Sequence, residues 1–194
     1  MTNFSVIPGI KIIEVIMDRS DIIISAIDAP DMVLPKADTE KSEVSCIQKN
    51  SYMTIRGHDT QIHLKVPYDT EIRIWATGDG TVNFRTAVER VSISIRQNAV
   101  LYMKDVEGFF KHVNVRAYGN SMAHIGHVHG NLLGVVAGGS EITGENLKAD
   151  ISYMIRGRSR LALDGEFSKT NLHIKGKPEI EINGAKVLSP VENT

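Results

Sequence analysis

Val113-Asn-Val-Arg-Ala-Tyr-Gly119, Leu132-Leu-Gly-Val-Val-Ala-Gly138, Ile151-Ser-Tyr-Met-Ile-Arg-Gly157 and Thr170-Asn-Leu-His-Ile-Lys-Gly176 are one phrase written four times. The closing glycines recur at a constant interval of nineteen. Beyond them the columns continue in register as Ala123, Ile142, Leu161, Ile180 and as Ile125, Gly144, Leu163, Ile182. Alternating apolar positions are the period-2 mark of a strand with one buried face. The glycine suits a turn, because positive φ costs little for Gly and is tolerated by Asn. Each copy is therefore two short strands separated by a glycine turn.

The register extends upstream. Ile72, Ile74, Ala76, Gly78, Val82 and Phe84 precede Val91, Ile93, Ile95, Gln97, Leu101 and Met103 by the same interval. Three extra residues then intervene before Val113, within 104–111, and Met53-Thr-Ile-Arg-Gly57 is one further, less regular copy. A unit this small cannot bury its own apolar face, whereas stacked copies do, with like residue over like about 4.8 Å apart. The expected fold is all-β: a single-stranded parallel β-solenoid (β-helix) with 19-residue rungs. An antiparallel sandwich also gives short, regularly spaced strands, but supplies no reason for one register held across four copies.

The solenoid domain is expected over 49–187, with an N-terminal region over 1–48 and a frayed tail over 188–194. Within 1–48, residues 4–27 hold two Ile-rich strands that form either first, irregular rungs or a cap. Residues 29–45, APDMVLPKADTEKSEVS, carry two prolines and many charges and read as a long loop or insertion. A cap is physically required, since an uncovered solenoid end is an exposed sheet edge.

Bulk properties narrow the function. The 194 residues carry 22 Lys+Arg against 23 Asp+Glu, which argues against a generic nucleic-acid binder. One cysteine, Cys46, excludes an intrachain disulfide framework and a Cys-rich zinc site. No apolar run approaches the roughly 18 residues of a membrane span. The N-terminus lacks a basic n-region, so the expectation is a cytoplasmic protein, with a cell-surface or phage-particle location as the alternative.

The stretches VNVRAYGNSMAHI (113–125), ISYMIRGRSRLALDG (151–165) and NLHIKGKPEIEINGAKV (171–187) resemble the GIN-domain, or auto-transporter adhesin head, family of bacterial β-solenoid proteins. The likeness covers about residues 50–187 and rests on a loose apolar-x-apolar-x-Gly rhythm. It implies a right-handed solenoid, no established catalytic residues, and a role in surface adhesion or scaffolding. Bactofilins, cytoplasmic β-solenoids that polymerise end to end, share the texture.

The register assigns faces to the candidate sites. His124, His127 and His129 in AHIGHVHG (123–130) are the metal candidates, since a site needs three or four converging donors. His124 points outward in a column with Thr143, Ala162 and Glu181. His127 falls on a turn with Asn146, Gly165 and Gly184, and His129 aligns with Lys148 and Phe167. The bland alternative is a solvated corner, and no metal or other cofactor is expected. Arg156 and Arg158 lie one repeat before Lys175 and Lys177, so four cations stack into an anion patch or splay into water.

Outward columns of Asn114, Leu133, Ser152, Asn171 and of Arg116, Val135, Met154, His173 offer no carboxylate pair, so general acid–base catalysis lacks its parts and no catalytic residue is named. Leu133, Val135, Met154 and, lower in the stack, Trp75 are apolar at outward positions. Either the N-terminal segment or the 104–111 insertion, with Phe109 and Phe110, covers them, or they form a partner interface. The expected function is a non-catalytic assembly protein that binds copies of itself or a structural partner. The alternatives are an adhesin-like or glycan-binding module and, more remotely, a carbohydrate-active enzyme.

Overall fold

A computed structural model describes residues 10–27, 33–37 and 43–185. The proposed tail over 188–194 lies outside the described residues, as do 1–9 and parts of the 29–45 segment. The described residues form seventeen strands in one continuous sheet, with no helix among them. It is a parallel β-solenoid with the 19-residue spacing that the glycines announce.

From β7 (Glu71–Thr77) onward the chain climbs in sequence order through about six turns. One face stacks β7, β9 (Arg90–Gln97), β11 (Phe110–Gly119), β13 (Val128–Gly138), the second half of β14 (Glu141–Gly157) and β16 (Thr170–Gly176). The opposite face stacks β8 (Thr81–Phe84), β10 (Val100–Met103), β12 (Met122–Gly126), the first half of β14, β15 (Arg160–Phe167) and β17 (Glu179–Ala185). Val113 pairs with Val91 and Leu132, and Ile151 with Leu132 and Thr170. The core is this ladder of inward side chains, with Val115, Ala117, Leu132, Val136, Ile155 and Leu161 fully buried.

The first corner is built on backbone sign. Gly119, Gly138, Gly157 and Gly176 all have positive φ, between 77° and 103°, and Gln97 holds the same position at φ 62°. Two residues on, Ser121, Ser140 and Ser159 are buried, yet none is orphaned. Ser159 Oγ donates to the carbonyls of Arg156 (2.9 Å) and Val136 (3.3 Å), and Ser140 Oγ donates to those of Ala137 and Ala117. These hydroxyls tie each corner to the one below, at no cost in unpaired polar groups.

The N-terminal region departs from the sequence reading. β1 (Ile12–Asp18) and β2 (Asp21–Ile27) are neither a cap nor the first rung. They form a complete rung inserted between β5 (Tyr52–His58) with β6 (Gln61–Pro67) and β7 with β8. Ile13, Val15, Met17, Ile22 and Ile24 are wholly inside. Nor is 29–45 simply a loop. Its described parts belong to β3 (Val33–Ala37), antiparallel to β6, and β4 (Glu43–Lys49), antiparallel to β5. These reversed strands close the lower end of the stack, where Val44 and Cys46 pack against the core. Pro35 and the charged residues of β3 and β4 suit such an edge, where one side of the strand has no ladder partner among the described residues.

Candidate functional site

Three regions of the surface carry side chains that the register leaves unexplained. On the face of β7 to β16, Leu133 lies between Asn114 and Ser152, while Val135 lies between Arg116 and Met154. Leu133, Val135 and Met154 are therefore neighbours and line a shallow recess of about 490 Å³ with Asn114 and His173. Leu133 is 42 % exposed, so nothing among the described residues covers it. Phe110 does not reach it, being fully buried and edge-on to Phe84 at 5.5 Å. Phe109 stacks instead on His129, with ring centroids 4.6 Å apart.

Trp75 is in the same column as Val135 but is separated from it by Ser94 and Arg116. Its neighbours are Ile16 of the inserted rung, Val44 and Arg56, around a second recess. The four apolar candidates thus make two patches rather than one.

The histidines do not converge. His124 Nδ1 lies 2.9 Å from Thr143 Oγ1, and its ring stacks on Tyr102 at 5.3 Å. His127 occupies the second corner at φ 54°, as Asn146 does at φ 54°. His129 pairs with Lys148, and that column continues to Glu166 rather than to Phe167. The register slips there because β14 spends an additional residue at Asn146, a bulge that sends Phe167 inward. Among the described residues no group of three or more His, Cys, Asp or Glu is placed to hold a metal ion. Cys46 is half-buried, and that burial pushes its thiol above the ordinary range.

Arg156 pairs in register with Lys175, with Arg158 and Lys177 beside them at the top of the first corner. All four are exposed, and none has a carboxylate within ion-pair distance among the described residues. Lower on the same corner the charge reverses: Asp18 and Asp59 meet His58 at 3.0 and 3.2 Å, and Arg19 reaches Asp59 at 2.9 Å. Arg160, by contrast, is held between Glu141 and Glu179, and the Glu141 hydrogen bond pushes its guanidinium further up.

Two features escaped the sequence reading. The first is the upper end. β16 pairs only with β14 and β17 only with β15 among the described strands, which leaves both outer edges without partners there. Leu172, Ile174, Ile180 and Ile182 are only partly buried, whereas the residues beneath them, Tyr153, Ile155, Leu161 and Leu163, are inside. Their inward columns were legible; that no further described rung follows in the stack was not.

The second is a recess of about 570 Å³ beside the three-residue insertion. Tyr102, 43 % exposed, forms one wall, with Asn83, Arg85, Asp105 and Glu107 around it. The signal for it was the break in the repeat, since insertions map to loops that a rigid scaffold presents.

No helix among the described residues is long and apolar enough to cross a membrane. A comparison of the chain with protein-family models gives no match, and a comparison with curated proteins gives none.

Proposed function

We propose that this chain is a non-catalytic structural module, a rigid β-solenoid that associates with further copies of itself. The observation that carries this reading is the difference between its two ends. The lower end is closed by β3 and β4 running against the stack, while the upper end of the described stack presents two strand edges and four half-buried aliphatic side chains. Unpaired ladder groups flanking apolar surface are a template for another strand, and proteins ordinarily blunt or cover such edges. Strand addition here continues the ladder that already holds every rung, so it needs no new kind of interaction. The likeness of residues 50–187 to GIN-domain proteins favours the same scaffold role.

Sedimentation velocity from low to high micromolar concentration tests the proposal. The expected result is a concentration-dependent species larger than the 21.4 kDa monomer, which Ile174→Asp/Ile182→Asp removes while leaving the circular dichroism spectrum unchanged. A strictly monomeric protein throughout the range overturns it.

A glycan-binding reading is favoured by the Tyr102 recess, where an exposed aromatic face stands among polar and charged side chains. Its test is a glycan array with Tyr102→Ala as control. Binding that is absent, or that survives the substitution, removes this reading.

A further inference from the structure

We propose that the β1–β2 rung is a removable insert, and that the stack has a second register in which β5 and β6 lie directly on β7 and β8. Met53 and Ile72, Ile55 and Ile74, and Gly57 and Ala76 stand one repeat interval apart. Everywhere above β7 that spacing, where it holds, relates residues on adjacent rungs, such as Val113 and Leu132. Among the described residues only here does it relate residues two rungs apart, because Ile13 pairs with Met53 on one side and Ile72 on the other. The chain from β5 to β7 therefore has the length of an ordinary single step, stretched over two.

Closing the gap is chemically permissive. Met53, Ile55, Ile62 and Leu64 exchange Ile13, Val15, Ile22 and Ile24 for Ile72, Ile74, Val82 and Phe84, apolar for apolar, and the buried polar contact given up at the corner is the 3.2 Å hydrogen bond from the Thr60 N–H to Ser20 Oγ. At the rim, Thr54 comes over Arg73, and Arg56 over Trp75, an arrangement in which a guanidinium lies against an indole. What fastens the insert specifically is polar: Thr54 Oγ1 donates to Glu14 (3.2 Å) and Thr77 Oγ1 to Asp18 (3.1 Å), both part-buried, and the corner adds exposed contacts. Arg19 Nη2 donates to His58 Nε2 (2.8 Å) and Asp59 (2.9 Å), and His58 Nδ1 meets Asp18 (3.0 Å), all across the boundary between the inserted rung and β5–β6. On its other side Gly80 admits the insert closely, since a Cβ there would stand 2.2 Å from the Ser20 carbonyl oxygen. Solenoid rungs interact only with their nearest neighbours, so losing one rung and rejoining the two beside it leaves the remaining turns untouched.

Disulfide trapping in the full chain, on a Cys46→Ala background, separates the registers. Thr54 and Glu14 are paired neighbours, joined by a 3.2 Å hydrogen bond, so Glu14→Cys/Thr54→Cys reports the present stack. Thr54→Cys/Arg73→Cys sits about 9.6 Å apart in that stack, twice the strand spacing, beyond the roughly 7 Å limit for a bridge. In the second register the same pair is adjacent. Arg73→Cys/Asn114→Cys is also two rungs apart and closes only on global unfolding.

Under mild oxidation the first pair is expected to close fully and at once, the second slowly but to completion, and the third not at all. Arg19→Ala, which removes two of the three corner contacts and leaves His58 with Asp18, is expected to accelerate the second about threefold or more. Failure of the second pair to close, or closure no faster than the third, overturns the proposal. None of these readouts depends on self-association, so a monomeric protein leaves the proposal standing.

Discussion

Tyr153→Phe tests the packing logic of the core most directly. Tyr153 is an inward residue, 2 % exposed, and its hydroxyl has no hydrogen-bond partner among the described residues. The ring fits because the residue beneath it is Gly134. A Cβ there would lie 1.9 Å from the Val115 carbonyl oxygen and 2.8 Å from Tyr153 Cε1. The large side chain and the missing one are a matched pair in neighbouring rungs. A buried hydroxyl with no partner costs about 1–3 kcal/mol. Phe keeps the ring and drops the oxygen, so the variant should be about 1 kcal/mol more stable, equivalent to a rise of about 2–4 °C in Tm for a domain of this size. Urea unfolding followed by far-UV circular dichroism measures it as a higher midpoint at unchanged slope.

The same substitution has a pH signature. Burial pushes the Tyr153 hydroxyl well above its ordinary range. The unfolded chain therefore ionises it near pH 10 while the folded chain does not, and stability falls as pH rises beyond about 10. Tyr153→Phe should lose stability less steeply there. Tyr153→Ala, leaving a cavity, should cost about 3–5 kcal/mol. A Phe variant that is less stable than the parent by more than about 0.5 kcal/mol, on the scale of a net hydrogen bond, refutes the reasoning, because the hydroxyl must then be bonded.

Four other outcomes follow from the corners and edges. Gln97→Gly should stabilise the fold by up to about 1 kcal/mol, and Gly138→Ala should destabilise it by about 1–2 kcal/mol, both read by urea midpoint, since both residues have positive φ. Arg160→Met should lower the urea midpoint only slightly, with the loss shrinking in high salt, because the Glu141–Arg160–Glu179 ladder is exposed to solvent. Iodoacetamide should alkylate Cys46 more slowly than a free thiol at mildly alkaline pH, with its rate profile displaced to higher pH, because burial raises the thiol and only the thiolate reacts.

The candidate site was legible in part. The outward placement of Leu133, Val135, Met154 and Trp75 follows from the pleat, because side chains alternate across a strand whatever the strand packs against. That Trp75 lies against Ile16 of the inserted rung does not, because it depends on which rung stands beneath β7. His129 shows the same limit: its column bends toward Glu166 because of a single additional residue at a corner, and a fixed repeat count passes over it.

What the sequence by itself determined is the rung: its length, its inward and outward positions, and the glycine column that turns it. Those are local properties, set by the period of a strand and by the sign of φ at one residue per corner. What only the tertiary structure decided is the order of the stack at its lower end and, at its upper end, a strand edge that has no partner among the described residues. The inserted β1–β2 rung and the reversed β3 and β4 could not be read off, because the inward faces of Ile13/Val15, Met53/Ile55 and Ile72/Ile74 are interchangeable apolar ladders. The hydrophobic effect that stacks them is non-directional. It requires that each rung be covered and leaves the choice of neighbour to corner contacts such as Arg19 with Asp59 and Ser20 with Gly80.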